Sequence, residues 1–206
     1  MPQSRRYKKK KSAGKAILAW IIVLAILAAA VFVFVSVFYE DTKKKLDEMN
    51  YPCTYSTYVE KAAKDYDLDP ALIYAVIHTE SGFDPKAESG VGAKGVMQMM
   101  PSSFEWLQEQ RGCAGQYTED DLFDPEICID YGSYLLKYFY DYYGTERSAI
   151  AAYNAGFVVS DWLNDANYSS DGKNLDSIPY PETENYVDKV EGAKEMYIKL
   201  YYSQSN

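Results

Sequence analysis

The sequence predicts a mainly α-helical (α+β) domain with one small β-hairpin, preceded by a single transmembrane helix. Three observations lead to this prediction: an uncharged apolar stretch near the N-terminus, a series of later segments with helix start signals, and one glycine-rich interruption between Phe83 and Met100. Residues 52–206 show no internal repeat and are numerous enough to form one domain with a core of ordinary size.

The transmembrane helix is predicted over residues 16–39, which contain no charged side chain. At about 1.5 Å per residue this stretch exceeds the roughly 30 Å hydrocarbon core of a bilayer. Residues 1–15 carry seven Lys and Arg, and such a basic tail keeps the N-terminus in the cytoplasm. A cleaved signal peptide is the alternative, but its apolar region usually spans about 7–15 residues, and no small-residue cleavage site is evident near Tyr39. Residues 40–51 are polar and either extend the helix or form a short stalk.

The charge distribution argues against nucleic-acid binding. The chain has 21 Lys and Arg against 30 Asp and Glu, and because seven of the basic residues lie in the first fifteen, the remainder carries 14 against 30, a formal charge of −16. An acidic surface repels phosphate groups. We therefore expect no nucleic-acid partner and interpret the basic tail as a determinant of membrane topology.

Seven helical segments are predicted in the domain, and three of their starts are marked by Asp69, Asp124 and Thr145. Prolines and glycines in the interruption that follows Phe83 predict the small irregular hairpin, and the polar stretch 165–181 predicts a loop. The helical segments span residues 55–66, 70–81, 101–110, 125–143, 146–155, 158–164 and 182–202.

The most informative position is Glu80, an acid near the end of the apolar segment 69–82. With helical spacing, Ile73, Ile77 and Glu80 share one stripe, so the carboxyl points the same way as side chains that should be buried. Desolvation and the negative end of the helix dipole both raise the pKa of a carboxyl in this place. A glutamic acid that is protonated at neutral pH is a candidate general acid. The alternative is an ordinary helical Glu that reaches water at the edge of the stripe.

Three motifs follow one another along the domain. They read Glu80-Ser-Gly-Phe with Gly90-Val-Gly-Ala-Lys-Gly-Val-Met-Gln-Met-Met-Pro101, then Ala149-Ile-Ala-Ala-Tyr-Asn-Ala-Gly156, and last Ile178-Pro-Tyr-Pro-Glu-Thr-Glu-Asn-Tyr-Val187. In content and order they resemble the signatures of the SLT-domain lytic transglycosylases, relatives of goose-type lysozyme that cleave the glycan strand of peptidoglycan. The resemblance covers roughly residues 52 to 200.

The resemblance implies a lysozyme-like fold and a lyase that cleaves the bond between N-acetylmuramic acid and N-acetylglucosamine with formation of a 1,6-anhydro ring. In this family one Glu acts first as acid and then as base, and both roles fall to Glu80. The implied partner is the glycan strand of peptidoglycan, and no protein partner is identified. Together with the anchor, this predicts an enzyme of the bacterial cell membrane whose domain lies outside. A hydrolytic muramidase of the same fold and a non-catalytic wall-binding module are the alternatives.

The resemblance also assigns eight side chains to the substrate cleft. Two methionines would form its apolar floor, although core packing explains them equally well, and the hydroxyl of the last tyrosine would contact the catalytic carboxyl or the N-acetyl group. For Gln98, Tyr153 and Tyr186 the alternative is a buried polar group with an internal hydrogen bond. In chain order they are Ser89, Met97, Gln98, Met100, Tyr153, Asn154, Glu182 and Tyr186.

Cysteine and histidine usage makes a metal site improbable, because the chain has three Cys without paired spacing and one His. No cofactor is expected. An outward-facing domain permits disulfides, so Cys113 and Cys128, which flank a polar stretch, could form a bridge. Three reduced cysteines, or a bridge that includes Cys53, are the alternatives. For His78 a structural role is expected.

Overall fold

The computed structural model describes residues 8–203, with side chains from residue 14 onward. The chain divides after Asn50 into two compact units. The first unit is one helix, α1, over Lys8–Asn50. By length and composition α1 is able to cross a membrane, and from residue 14 onward its apolar side chains are exposed. The polar residues that follow the apolar stretch therefore extend the helix, while residues 1–7 of the predicted basic tail lie outside the described residues.

The second unit is helical, and the helix bounds predicted from the sequence are confirmed to within a residue for most helices. Its α-helices are α2 Ser56–Tyr66, α3 Pro70–Ser81, α4 Pro101–Gln110, α5 Pro125–Tyr143, α6 Glu146–Ala155, α7 Val159–Leu163 and α8 Pro181–Tyr197. Short 3-10 turns cover Glu119–Phe123 and Gly156–Val158, and a π-helical turn covers Ile198–Tyr202. The predicted loop is found over residues 165–180 as turns, bends and irregular backbone, and α8 begins at the last residue of the predicted range.

Local chemistry sets both ends of α3. The side chain of Asp69 accepts a hydrogen bond from the backbone N–H of Ala71 at 2.9 Å, and Pro70 occupies the first helical position. At the other end Gly82 adopts a left-handed conformation, with φ of 58°, which ends the helix. Glu80 is thereby fixed in the last turn.

The core of the second unit is built around α3. Seven consecutive residues from Ala71 to Ile77 are buried, so this part of the helix is covered on all sides. The helix packs against α2 and α8, and α5 packs against α2 and α6. Exposure rises only at residues 78–80. The end of α3 therefore brings a buried helix to the surface of the domain at the position of Glu80.

The predicted β-hairpin is wrong, since the described residues contain no β-strand. The segment forms two isolated bridges, from Lys94 to Glu88 and from Lys94 to Met99. Positive φ values of 75° at Gly95 and 46° at Gln98 interrupt the extended backbone that a strand requires. A Cβ atom at Gly95 would overlap the carbonyl oxygen of Leu122, so the turn is pressed against a neighbouring segment instead of extending into a ribbon.

The predicted bridge between Cys113 and Cys128 is also absent, because both thiols are free. The thiol of Cys128 is buried and accepts a hydrogen bond from the backbone N–H of Met97 at 3.4 Å. The thiol of Cys113 lies 3.3 Å from the hydroxyl of Tyr131. Each sulfur therefore has its own local partners, and burial raises the pKa of Cys128 to about 12, which keeps that thiol protonated and inert.

Candidate active site

The carboxyl of Glu80 is placed by α3, whose buried body ends one turn earlier. The side chain is only partly exposed, and desolvation by the surrounding protein raises its pKa from the ordinary 4.5 to about 7. Burial disfavours the charged form because a carboxylate loses hydration when it leaves water. A substantial fraction of Glu80 is therefore protonated at neutral pH and able to donate a proton.

Tyr186 supplies the direct hydrogen-bond partner of Glu80. It lies in the second turn of α8, the helix that packs along α3, and its hydroxyl donates to Oε1 of Glu80 at 2.7 Å. This bond stabilises the carboxylate and lowers the pKa of Glu80 against the larger effect of burial. Burial and the charge of Glu80 hold the pKa of Tyr186 well above its ordinary value, so the phenol remains a donor.

A second tyrosine borders the same place. Tyr153, in the last turn of α6, donates its hydroxyl to the backbone carbonyl of Met97 at 2.9 Å. Burial, followed by the charge of Glu80, raises the pKa of Tyr153 well above its ordinary value, which places the phenol within electrostatic reach of the acid. The helices α3, α6 and α8 therefore converge on one carboxyl and two neutral phenols.

The backbone between Lys94 and Met99, which we call the 94–99 turn, forms the remaining wall. Its two end residues exchange backbone hydrogen bonds of 2.9 and 3.0 Å. Ser81, next to the acid, donates its hydroxyl to the carbonyl of Val96 at 2.7 Å, so the turn is attached to the end of α3. The side-chain amide of Gln98 donates to the carbonyls of Ala87 and Gly95, at 3.0 Å each.

A buried lysine fastens the outer side of the 94–99 turn. The side chain of Lys94 is 9% exposed, and its Nζ lies 3.1 Å from Oε1 of Glu119 and 2.9 Å from Oδ1 of Asp120. The ammonium also lies over the ring of Phe123, 5.3 Å from the centroid, a favourable cation–π arrangement. The hydrogen bond to Asp120, ahead of other effects, raises the pKa of Lys94.

The structure brings some of the predicted cleft residues together and gives others internal roles. Met97 is fully buried and packs against Gly132 of α5, whereas Met100 is 39% exposed at the start of α4. Ser89 accepts a hydrogen bond from the backbone N–H of Ala93 at 2.9 Å and so closes a turn. Thus only one of the two methionines offers a side chain to a ligand.

Two further predicted residues lie at the α6 and α8 side of the site. Asn154 is exposed, and its side-chain oxygen accepts a hydrogen bond from Thr183 at 2.8 Å. Glu182 is exposed in the first turn of α8. Thr183 is buried and was missed by sequence reasoning, as was Ser81, although each is adjacent to a residue that the motifs had singled out. Their roles depend on partners that are distant in sequence.

The side chains of the site are suited to proton transfer, and they are not arranged as metal ligands. Other carboxyls near the motifs, such as Glu88 and Glu105, are exposed. Within the part of the chain that the structure describes, no three His, Cys, Asp or Glu side chains come together as metal ligands would. The arrangement is therefore a single acid of raised pKa that accepts a hydrogen bond from a phenol at the partly exposed end of a buried helix.

Comparison with known proteins matches this chain to one family. The transglycosylase SLT domain model matches residues 57–175, more than half of the chain. The soluble lytic murein transglycosylase of Escherichia coli is 33% identical over 146 residues, which are 69% of this chain and 23% of the relative. Membrane-bound lytic murein transglycosylase C of Actinobacillus succinogenes is 31% identical over 168 residues, which are 71% of this chain and 47% of the relative.

Solved structures give the same match. The 70 kDa soluble lytic transglycosylase of Escherichia coli aligns with a TM-score of 0.66 at 29% identity, over 77% of this chain and 26% of that chain. An inactive Glu-to-Gln mutant of the lytic transglycosylase Slt from Pseudomonas aeruginosa aligns with a TM-score of 0.65 at 29% identity, over 74% of this chain and 25% of that chain. This chain therefore spans about a quarter of the length of these soluble relatives.

Proposed function

Because the chain belongs to the transglycosylase SLT domain family, we propose that it is a membrane-anchored lytic transglycosylase of peptidoglycan. The observation that carries the proposal is the state of Glu80, a partly buried carboxyl with a pKa of about 7 that accepts a hydrogen bond from Tyr186. A general acid works best when its pKa lies near the working pH. Glu80 meets that condition.

In the first step Glu80 donates its proton to the oxygen that joins N-acetylmuramic acid to N-acetylglucosamine. The bond from this oxygen to the muramoyl C1 breaks, and positive charge develops on C1. The carbonyl of the muramoyl N-acetyl group stabilises that charge from within the substrate, so a second enzyme carboxylate is not needed. Tyr186 supports the change, since its hydrogen bond becomes stronger when the acceptor oxygen of Glu80 becomes an anion.

In the second step the ionised Glu80 takes the proton of the muramoyl C6 hydroxyl. The hydroxyl oxygen attacks C1 and closes the 1,6-anhydro ring, which returns Glu80 to its protonated form. No water is consumed, and the reaction is a lyase reaction. Tyr153 and the 94–99 turn would position the sugar, because they form the wall beside the acid.

The membrane part of the proposal rests on α1. An exposed apolar helix of this length is unfavourable in water and favourable in a bilayer. Seven basic residues in the first fifteen favour a cytoplasmic N-terminus. In this orientation residues 51–206 lie on the outer side of the cell membrane, where peptidoglycan is found.

The proposal is tested with the full-length protein in detergent, purified glycan strands and mass spectrometry of the products. We expect muramoyl ends that are lighter by one water molecule than reducing ends. Glu80→Gln keeps the shape and the hydrogen-bond acceptor for Tyr186 but has no proton of the required acidity, so this variant should fold and release no product. Glu88→Gln, which changes an exposed carboxyl of the same segment, is the matched control and should retain activity.

The muramidase alternative gives a different product. If water attacked C1, every new end would be a reducing end, and that outcome would contradict the lyase assignment while leaving Glu80 as the acid. Equal cleavage by wild type and Glu80→Gln would contradict the role of Glu80 in either reaction.

A further inference from the structure

A cluster of aromatic side chains lies outside the Glu80 site, where α4, α5 and the turn after α6 meet. We call it the aromatic patch. The ring of Phe157 is nearly perpendicular to the three others, with interplanar angles of 82–88° and centroid distances of 5.8–6.4 Å. The members of the patch are Trp106, Tyr138, Tyr142 and Phe157.

Packing of the core accounts for only part of the patch, since Trp106 and Tyr138 are half-buried and pack against the core while the other two rings are exposed. Phe157 is 49% exposed and Tyr142 is 58% exposed, whereas Phe139 and Tyr143, on the same helix as Tyr142, are buried. Helix α5 therefore directs Phe139 and Tyr143 into the core and exposes Tyr142 to water, with Tyr138 half-buried between them. Contiguous apolar groups in water are unfavourable unless something binds to them, and they are typical of ligand grooves.

The patch continues the two elements that carry cleft residues. Trp106 follows the exposed Met100 by six residues of α4, a distance of about 9 Å along the helix axis. Phe157 follows Asn154 by three residues at the end of α6. A chain-like ligand that passes Glu80 between these elements would therefore reach the patch beyond its nearest sugars.

The chemistry of the patch fits a sugar ring. Tyr138 and Tyr142 project from successive turns of α5 with rings that are nearly parallel, 15° apart with centroids at 6.3 Å. Each ring offers an apolar face, and each tyrosine adds a hydroxyl at its edge. A pyranose has the same combination, since C–H bonds form its faces and hydroxyls form its rim. None of the four patch residues is Asp, Glu, Lys or Arg, so the match is to a neutral ring system.

We propose that the aromatic patch is a distal glycan subsite that stacks on sugar rings of the strand bound at Glu80. The proposal rests on the proposed function for the identity of that strand. The subsite would strengthen the binding of long strands more than that of short fragments, because only a long strand has many sugar rings beyond those at Glu80.

The test compares two substrates with the full-length protein in detergent: long glycan strands and a tetrasaccharide of two disaccharide repeats. For Tyr142→Ala and Phe157→Ala we expect KM for long strands to rise roughly tenfold, the effect of losing one aromatic contact, with unchanged KM for the tetrasaccharide and unchanged kcat. Tyr142→Phe and Phe157→Tyr keep a ring and should restore the wild-type KM. Tyr140→Ala, a 38% exposed ring of α5 outside the patch, is the matched control.

Binding is measured separately from cleavage by cosedimentation of the variants with immobilised glycan strands in a Glu80→Gln background. A wild-type protein that does not cleave glycan would contradict the proposed function. Cosedimentation would still show whether the aromatic patch binds glycan strands. Cleavage and binding that are unaffected by both alanine variants would overturn the patch alone. Equal losses on the tetrasaccharide would also overturn it, as would a change in oligomeric state with unchanged KM, which would identify the patch as a contact between copies of the chain.

Discussion

At the scale of single residues, the pKa of Glu80 links the proposed chemistry to stability. The folded protein holds this pKa at about 7, against an ordinary value of 4.5, so the folded state binds the proton more tightly than the unfolded chain does. The full stabilisation is present below pH 4.5. It is lost as the pH rises through about 7, and the loss amounts to roughly 3 kcal/mol.

Glu80→Gln should remove this pH dependence, because glutamine is neutral at every pH and still accepts the hydrogen bond from Tyr186. We expect the variant to be more stable than wild type by roughly 2–3 kcal/mol at about pH 8 and equally stable at about pH 4. Urea unfolding followed by tryptophan fluorescence at the two pH values measures the difference. The same difference at both pH values would show that the carboxyl of Glu80 is not held in its neutral form.

Tyr186→Phe tests the hydrogen bond from the other side. The hydroxyl of Tyr186 lowers the pKa of Glu80, so its removal should raise that pKa further. Because the protonated acid is the active form in the first step, the fall in kcat/KM at alkaline pH should move to higher pH, while the maximal rate decreases. The pH profile of glycan cleavage measures both effects.

Tyr153→Phe is the control for this experiment. Its hydroxyl donates to the carbonyl of Met97 and not to Glu80, so the alkaline limb of the profile should stay in place. A shift toward lower pH in Tyr186→Phe would be the wrong sign and would contradict the hydrogen bond as described.

At the scale of elements, the 94–99 turn connects distant parts of the chain to the acid. Lys94 joins the turn to the Glu119–Phe123 segment, and the carbonyls of Val96 and Met97 accept hydrogen bonds from Ser81 and Tyr153. Replacement of the lysine by methionine keeps the length of the side chain and removes both ion pairs. The 94–99 turn would then lose its ion pairs to the Glu119–Phe123 segment and keep its hydrogen bonds from Ser81 and Tyr153.

For Lys94→Met we therefore expect faster hydrogen exchange at the backbone amides of Lys94 and Met99, and a lower kcat with the pH profile unchanged. Hydrogen-exchange mass spectrometry and the rate of glycan cleavage measure the two effects. Lys94→Arg preserves the cation and should restore both. Lys86→Met is the matched control, since Lys86 is exposed and also lies over the ring of Phe123. Unchanged exchange in Lys94→Met would show that the ion pairs do not hold the turn.

The helices were predictable from the sequence because their ends depend on residues that are close to them in the sequence. Asp69 contacts a backbone group two residues away, and Gly82 ends α3 through its own conformation. The 94–99 turn depends on contacts with Leu122 and Ser81, and no local pattern reveals such contacts. For the same reason the sequence could not decide between a bridge at Cys113 and the free thiol that the structure has there.

For the site too, features set by local sequence were predictable, and contacts between distant residues were not. The place of Glu80 on a buried helix followed from spacing, and its contact with Tyr186 agrees with the motif resemblance. Gln98 was expected to face the substrate, but its amide holds the carbonyls of Ala87 and Gly95. A motif identifies a polar residue that the site needs, and it does not reveal whether that residue contacts the ligand or the backbone.

At the scale of the whole molecule, the two units differ in how their apolar side chains are covered. The unit that begins at Tyr51 contains its own buried core, whereas α1 exposes apolar side chains from residue 14 onward. Deletion of residues 1–50 should therefore release the protein from the membrane fraction and leave its fold and its cleavage of glycan strands intact. Membrane fractionation, circular dichroism and the product assay measure these outcomes. Loss of folded structure on deletion would contradict the independence of the second unit.

The hydrogen bond between Glu80 and Tyr186 joins residues that are 106 positions apart. A ribosome makes the acid long before it makes the phenol that holds it, and export in the proposed membrane orientation follows the same order. Until α8 arrives, α3 lacks one of the two helices against which it packs, and Glu80 lacks the hydroxyl of Tyr186. In the proposed orientation the site is therefore complete only when export of the domain is nearly finished.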